Sequence, residues 1–114
     1  MKIAVSIEAG NDLRAPVSPN FGRAPRFLIY DSDTGDTHVL ENAAASGAHG
    51  AGTGAAALLV KEGVEAIISG RFGPNAHQAL KAAGIRMFVS VSDASAKAAI
   101  DRLLAGSLKE ATAS

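Results

Sequence analysis

Arg14, Arg23 and Arg71 each fall in a stretch rich in glycine, proline or asparagine, and His49 lies in the small-residue segment Gly47-Ala48-His49-Gly50. Guanidinium groups on irregular backbone, beside glycine amides, suit the binding of an anion. His49 is the strongest single candidate for a ligand-contacting or metal-ligating side chain, since glycines lie on both sides and nothing apolar would bury it; an exposed loop histidine is the other reading. Glu8 and Asp12 partly offset the positive charge. His38, His49 and His77 share no short spacing, so no compact metal motif is present. His77 lies one residue off the apolar face of its helix, which favours a surface position, and His38 reads as a strand residue.

Catalytic constellations are missing from the pattern. A metal-dependent nuclease needs several converging carboxylates, one of them on the first strand. Here the first apolar run has none, Glu8 comes only at its exit, and Asp31, Asp33 and Asp36 surround a turn. Ser6, Ser18, Ser69 and Ser90 lack a G-x-S-x-G setting or a paired base. The chain therefore reads as a binding protein and not an enzyme. Gly50, Gly52 and Ala55 match the dinucleotide pattern G-x-G-x-x-A, but no strand runs into them and no acidic residue ends the next strand, which argues against NAD(P). Two readings of that segment stay open, a flexible loop or a loop that brings backbone amides close to a ligand.

The 114 residues carry 11 Lys+Arg against 11 Asp+Glu and no cysteine. Zero net charge excludes a nucleic-acid binder working by phosphate neutralisation. Without cysteine there are no disulfides, thiolate catalysis, zinc fingers or cysteine-ligated iron–sulfur clusters. The length is that of one domain. With 24 alanines and only 5 Phe or Tyr, its core must come from Ile, Leu, Val and close alanine packing. Residues 42–60 carry no formal charge, yet four glycines and several polar residues there exclude a membrane span. The apolar run at Lys2–Ile7 is too short for a signal peptide, so the expected location is the cytoplasm.

These residues need positioning elements. Lys2–Ile7, Phe27–Asp31, Thr37–Glu41, Val64–Ser69 and Ile85–Val91 read as strands. The turn 32–36, with Gly35 free to take positive φ, predicts an antiparallel hairpin between the second and third. Helices are expected over Ala55–Glu62, from Pro74 to Gly84 with Ala76, Ala79, Leu80 and Ala83 inward, and after a Ser92-Asp93 cap with Ala96, Ala99, Ile100, Leu103 and Leu104 inward. The order βββαβαβα implies a mixed five-stranded α/β sheet with flanking helices, a match to the ribonuclease-H-like architecture. Residues 1–108 form the domain and 109–114 a frayed tail. Ligands in open α/β sheets collect at the carboxyl ends of parallel strands. The proline loop after the first strand, the glycine segment, and Gly70-Arg71-Phe72-Gly73-Pro74-Asn75 should converge there. Two of the three lead into helix N-termini, which favour an anion.

The run Pro16-Val17-Ser18-Pro19-Asn20-Phe21-Gly22-Arg23-Ala24-Pro25-Arg26-Phe27, with Glu41-Asn42, His49-Gly50-Ala51-Gly52 and Ser69-Gly70-Arg71-Phe72-Gly73-Pro74-Asn75-Ala76, closely resembles the dinitrogenase iron–molybdenum cofactor biosynthesis domain family. The resemblance spans Met1 to about Leu108. It implies a ribonuclease-H-like fold without nuclease activity, and a protein that binds, carries or inserts metal–sulfur clusters, with a metal-cluster assembly or acceptor protein as partner. The implied site comprises Ser18, Asn20, Phe21, Gly22, Arg23, His49, Gly50, Gly52, Arg71, Gly73 and Asn75. Many members read His-Phe-Gly-Arg where this chain has Asn20-Phe21-Gly22-Arg23. Asparagine is a poor ligand for a soft metal, which leaves His49 the only imidazole on the rim. The expected function is a non-catalytic carrier of an anionic metal–sulfur cluster, containing Fe–S or Mo, or of a thiometallate. A small-molecule or phosphate-binding regulatory domain using the same loops is the alternative.

Overall fold

The computed structural model describes residues 1–46, 50–90 and 94–111. The elements run β1 (Lys2–Ile7), β2 (Arg26–Asp31), β3 (Thr37–Glu41), a 3-10 turn (Ala43–Ser46), α1 (Ala51–Glu62), β4 (Ala66–Ser69), α2 (Pro74–Ala82), β5 (Arg86–Val89), α3 (Ala96–Leu104) and β6 (Lys109–Glu110). One mixed sheet has the order β3-β2-β1-β4-β5-β6. The hairpin β2–β3 is antiparallel, with Gly35 at φ 80° closing it through a bond from its amide to the Asp31 carbonyl. β1 pairs antiparallel with β2 and parallel with β4, and β4 pairs parallel with β5.

Period-two alternation along the central strands divides the apolar residues between two cores. Ala4, Phe27, Ile29 and Ile67 face the side covered by α1 and α2, and join Ala55, Leu59, Ala76 and Leu80. Ile3, Val5, Ile7, Leu28 and Ile68 face the other side and join Ala96, Ala99, Ile100 and Leu103 of α3. That double burial explains why β1 and β4 read as unbroken apolar runs.

Several expectations are corrected. The sheet has six strands, because Lys109–Glu110, in the stretch expected to fray, pairs antiparallel with Phe88 and Val89 of β5. The Ala111 amide then bonds the Met87 carbonyl, and both Glu110 oxygens accept from Arg86 at 3.0 and 3.2 Å. This short strand covers part of what would be an open sheet edge. Helix α1 begins at Ala51, so Gly52, Thr53 and Gly54 are its first turns and not a loop. Helix α3 is capped by Ser95, whose Oγ accepts from the Ala98 amide at 3.1 Å, and the expected cap Ser92-Asp93 lies outside the described residues, as does Val91. Leu104 is half exposed and Ala83 exposed, because α3 and α2 turn those positions past the edge of the core. The proline loop holds buried Ala15 and Val17, tied to the start of α3 by bonds from the Val17 amide to the Ala94 carbonyl and from the Ala96 amide to the Ala15 carbonyl. Among the described residues no helix is long and apolar enough to cross a membrane.

Candidate functional site

Beyond the carboxyl ends of β1 and β4, small residues let three backbone segments approach closely. A Cβ on Gly22 would lie 3.0 Å from the Gly52 amide nitrogen, and one on Gly52 would lie 3.0 Å from the Ala76 Cβ. The 20–23 loop, the start of α1 and the start of α2 thus touch through glycine and alanine. Gly70 is tighter still: its Cβ would sit 2.7 Å from Pro19 Cα. Two backbone bonds join the same strands of chain, from the Gly70 amide to the Ser18 carbonyl and from the Phe21 amide to the Arg71 carbonyl, each 3.0 Å.

The result is an open cleft of about 320 Å³. Asn20, Phe21, Gly22 and Arg23 form one wall, Gly50, Ala51 and Gly52 a second, and Arg71 with Gly73, Pro74, Asn75 and Ala76 the third. Both helix starts open into it. Gly50, at φ 73°, is the N-cap of α1, and Gly73, in extended backbone, is the N-cap of α2. Neither has a side chain to accept from the first turn. The first intrahelical bonds run from Gly54 to Gly50 and from His77 to Gly73, so the amides of Ala51, Gly52, Asn75 and Ala76 precede the helical ladder and carry the positive end of each dipole.

The charged groups are held by neutral acceptors. Arg71 donates from Nη2 to Asn20 Oδ1 at 3.1 Å, and Arg23 donates from Nη1 to the Ala45 carbonyl at 2.8 Å. Arginine and amide N–H groups, with no carboxylate among the described lining residues, make a surface that attracts an anion. A bare cation has little to hold it: among the described residues no three His, Asp or Glu side chains gather as a metal site.

Other expected site residues have different places. Ser18 does not line the cleft; it is buried, and its Oγ bonds Glu8, the Asn20 carbonyl and the Asn20 amide, which shapes the loop. Phe21 reaches the cleft only at its border. Its ring is 1% exposed and packs 5.4 Å from both Phe27 and Phe72, anchoring the loop in the core. Arg14 is not on the rim. It pairs with Asp12, whose carboxyl is held below its ordinary range first by the Arg14 amide and then by the guanidinium. His49 lies outside the described residues. Asn42, quoted in the resemblance without a role, is buried and donates from Nδ2 to the Gly22 and Ala24 carbonyls at 3.2 and 2.8 Å, clamping the turn that carries Arg23. An asparagine directly after a strand was the only sequence signal for this.

Comparison with known proteins gives consistent relatives. A family model described as dinitrogenase iron-molybdenum cofactor matches residues 1–106. The apo form of the orange protein from Desulfovibrio gigas superposes with a TM-score of 0.93 at 36% identity, covering 98% of this chain and 93% of that one. A Thermotoga protein described as NifB-like superposes with a TM-score of 0.82 at 37% identity, covering 96% and 91%. An uncharacterized protein of Methanocaldococcus jannaschii is 37% identical over 91 residues, 77% of this chain and 73% of its own.

Proposed function

The chain belongs to the dinitrogenase iron-molybdenum cofactor family, and from that premise we propose that it is a non-catalytic carrier for an anionic metal–sulfur cluster or thiometallate seated in the cleft. The carrying observation is the convergence of two glycine-capped helix N-termini with Arg71, oriented by Asn20, on one open cavity. Sulfide or oxo groups on the outside of such a cargo accept hydrogen bonds from amides and guanidinium groups, which hold the cargo by charge and shape. This grip suits cargo that must be surrendered to an acceptor protein. His49, from the segment just before Gly50, is the candidate for one direct ligand.

The described lining holds no carboxylate, imidazole or hydroxyl to serve as acid, base or nucleophile, which supports a binding role. The order β3-β2-β1-β4-β5, with helices after β3, β4 and β5, supports a ribonuclease-H-like framework extended by β6. A relative named for its orange colour and solved in its apo form is consistent with a coloured cargo. The same amides would also suit a phosphate, which is the basis of the second reading, a phosphate-binding regulatory domain.

The test is anaerobic purification without a histidine tag, followed by absorption spectroscopy and elemental analysis for Fe, Mo, Cu and S. Near-stoichiometric metal and sulfide are expected, directly or after reconstitution with iron–sulfur or thiomolybdate species. The double variant Arg23→Ala, Arg71→Ala should lose the cargo while keeping its melting temperature. Unchanged retention in that variant overturns the site. Failed reconstitution, with thermal stabilisation by phosphate alone, transfers the cleft to the second reading.

A further inference from the structure

His77 is not the surface histidine its sequence position suggests; it is only 9% exposed and borders two adjoining cavities between α2 and the β5–β6 edge. One, of about 260 Å³, is lined by Arg71, Phe72 and Lys109; the other, of about 420 Å³, by Lys81, Ile85 and Met87. Ala111 and Glu110 border both. The backbone amide of His77 bonds the Gly73 carbonyl, but among the described residues nothing bonds its ring. The ring nitrogens are not among the fully buried polar atoms that lack a partner, so a solute entering the cavities can reach a donor and an acceptor that no described protein group occupies.

Their charge indicates which kind. Among the described residues Glu110 is the one acid on the two linings, and both its oxygens are held by Arg86 at 3.0 and 3.2 Å. That pair cancels, leaving Arg71, Lys81 and Lys109 around the histidine. A single imidazole with an occupied carboxylate is too poor a donor set for a metal ion. We propose that the cavity lined by His77 and Lys109 is a second ligand site, for a small oxyanion, separate from the cluster cleft and adjoining it through Arg71. His77 donates one ring N–H to the anion and Lys109 supplies charge. Because Arg71 borders both spaces, the two occupants share one positioning residue.

The site is tested by titrating inorganic phosphate into the cargo-free protein and following ring and amide resonances by NMR. Saturable shifts are expected at the His77 ring, Lys109 and Ala111. Lys109→Ala should weaken them roughly fivefold, and His77→Asn should abolish those at Ala111. Should His77→Asn fail to fold, Lys109→Ala, a change on an exposed strand, decides alone. No saturable shift at the His77 ring overturns the proposal. So do shifts confined to the Gly52, Asn75 and Ala76 amides, which place the anion in the cleft, and shifts that Lys109→Ala leaves untouched. Because the protein carries no cargo in this experiment, its outcome is independent of whether the cleft holds a cluster.

Discussion

Helix α3 starts at a serine whose hydroxyl satisfies the helix's own first turn, whereas α1 and α2 start at glycines that leave theirs to whatever enters the cleft. The packing differs in the same sense. Helix α3 buries Ile100 and Leu103 against the sheet, while the starts of α1 and α2 meet through Gly52, Ala76 and Gly22 at contact distances only small residues allow. The α3 face of the sheet is built to be self-sufficient, the α1–α2 face to leave donors unspent. A side-chain cap contributes about 1 kcal/mol over alanine but only a few tenths over glycine, so two glycine caps at the same cavity give up a little stability at the place where binding would use the amides.

The largest break in this comparison comes from the close approach itself. Gly70→Ala places a methyl 2.7–2.8 Å from Pro19 backbone atoms. It should cost about 3 kcal/mol in urea unfolding and displace the loop bearing Asn20 and Arg23. Gly73→Ala, with nothing within 4 Å of the new Cβ, should cost under about 0.5 kcal/mol. Equal losses for the two would show that the 19–70 contact is not what holds the cleft together.

Gly73→Asp sharpens the contrast, because it makes α2 resemble α3. The extended backbone of Gly73 accepts a side chain, and a carboxylate there can take the amide of Ala76 and the helix dipole. Stability should rise by several tenths of a kcal/mol while cargo retention falls roughly tenfold. The opposite signs are the informative part: a variant that gains stability and keeps its cargo would mean that the α2 amides do not hold it. The reverse substitution, Ser95→Ala, should cost about 1 kcal/mol and leave cargo retention unchanged, since α3 begins at the other core.

The strands were legible because β-branched runs buried on both faces need no context to be recognised, and the convergence of three loops followed from where parallel strands end. What escaped depends on long-range partners. The first turn of α1 is glycine-rich, with poor intrinsic helix propensity, and forms because Gly22, Ala44 and Ala76 pack against it. Strand β6 is two polar residues with a strand identity supplied by the edge of β5 and by Arg86. His77 was misread because helical periodicity separates core from solvent and has no place for a cavity. Phe21 was singled out for its motif, yet its ring is almost wholly buried in the core, and the residue only borders the cleft.

The smallest expected effect concerns how the cleft and the β6 edge treat their arginines. At the cleft Arg71 rests on the amide oxygen of Asn20, while at the β6 edge Arg86 is fixed by the Glu110 carboxylate. The hydrogen bond from Arg86 holds the Glu110 carboxyl below its ordinary range. A depressed folded-state value means that the pair stabilises above the unfolded value of about 4.3 and fades as pH falls through the lower folded one. Below about pH 4, β6 should therefore loosen first, seen as faster amide exchange at Glu110 and Ala111, and Glu110→Gln should remove that dependence. Among the described residues the Arg71–Asn20 contact involves no carboxylate, so the Arg71 guanidinium resonance should hold across the same range. If it follows Glu110 instead, the β6 edge and the cleft are one cooperative unit, and the division between a self-paired region and an open one fails at Arg71, the residue that borders both.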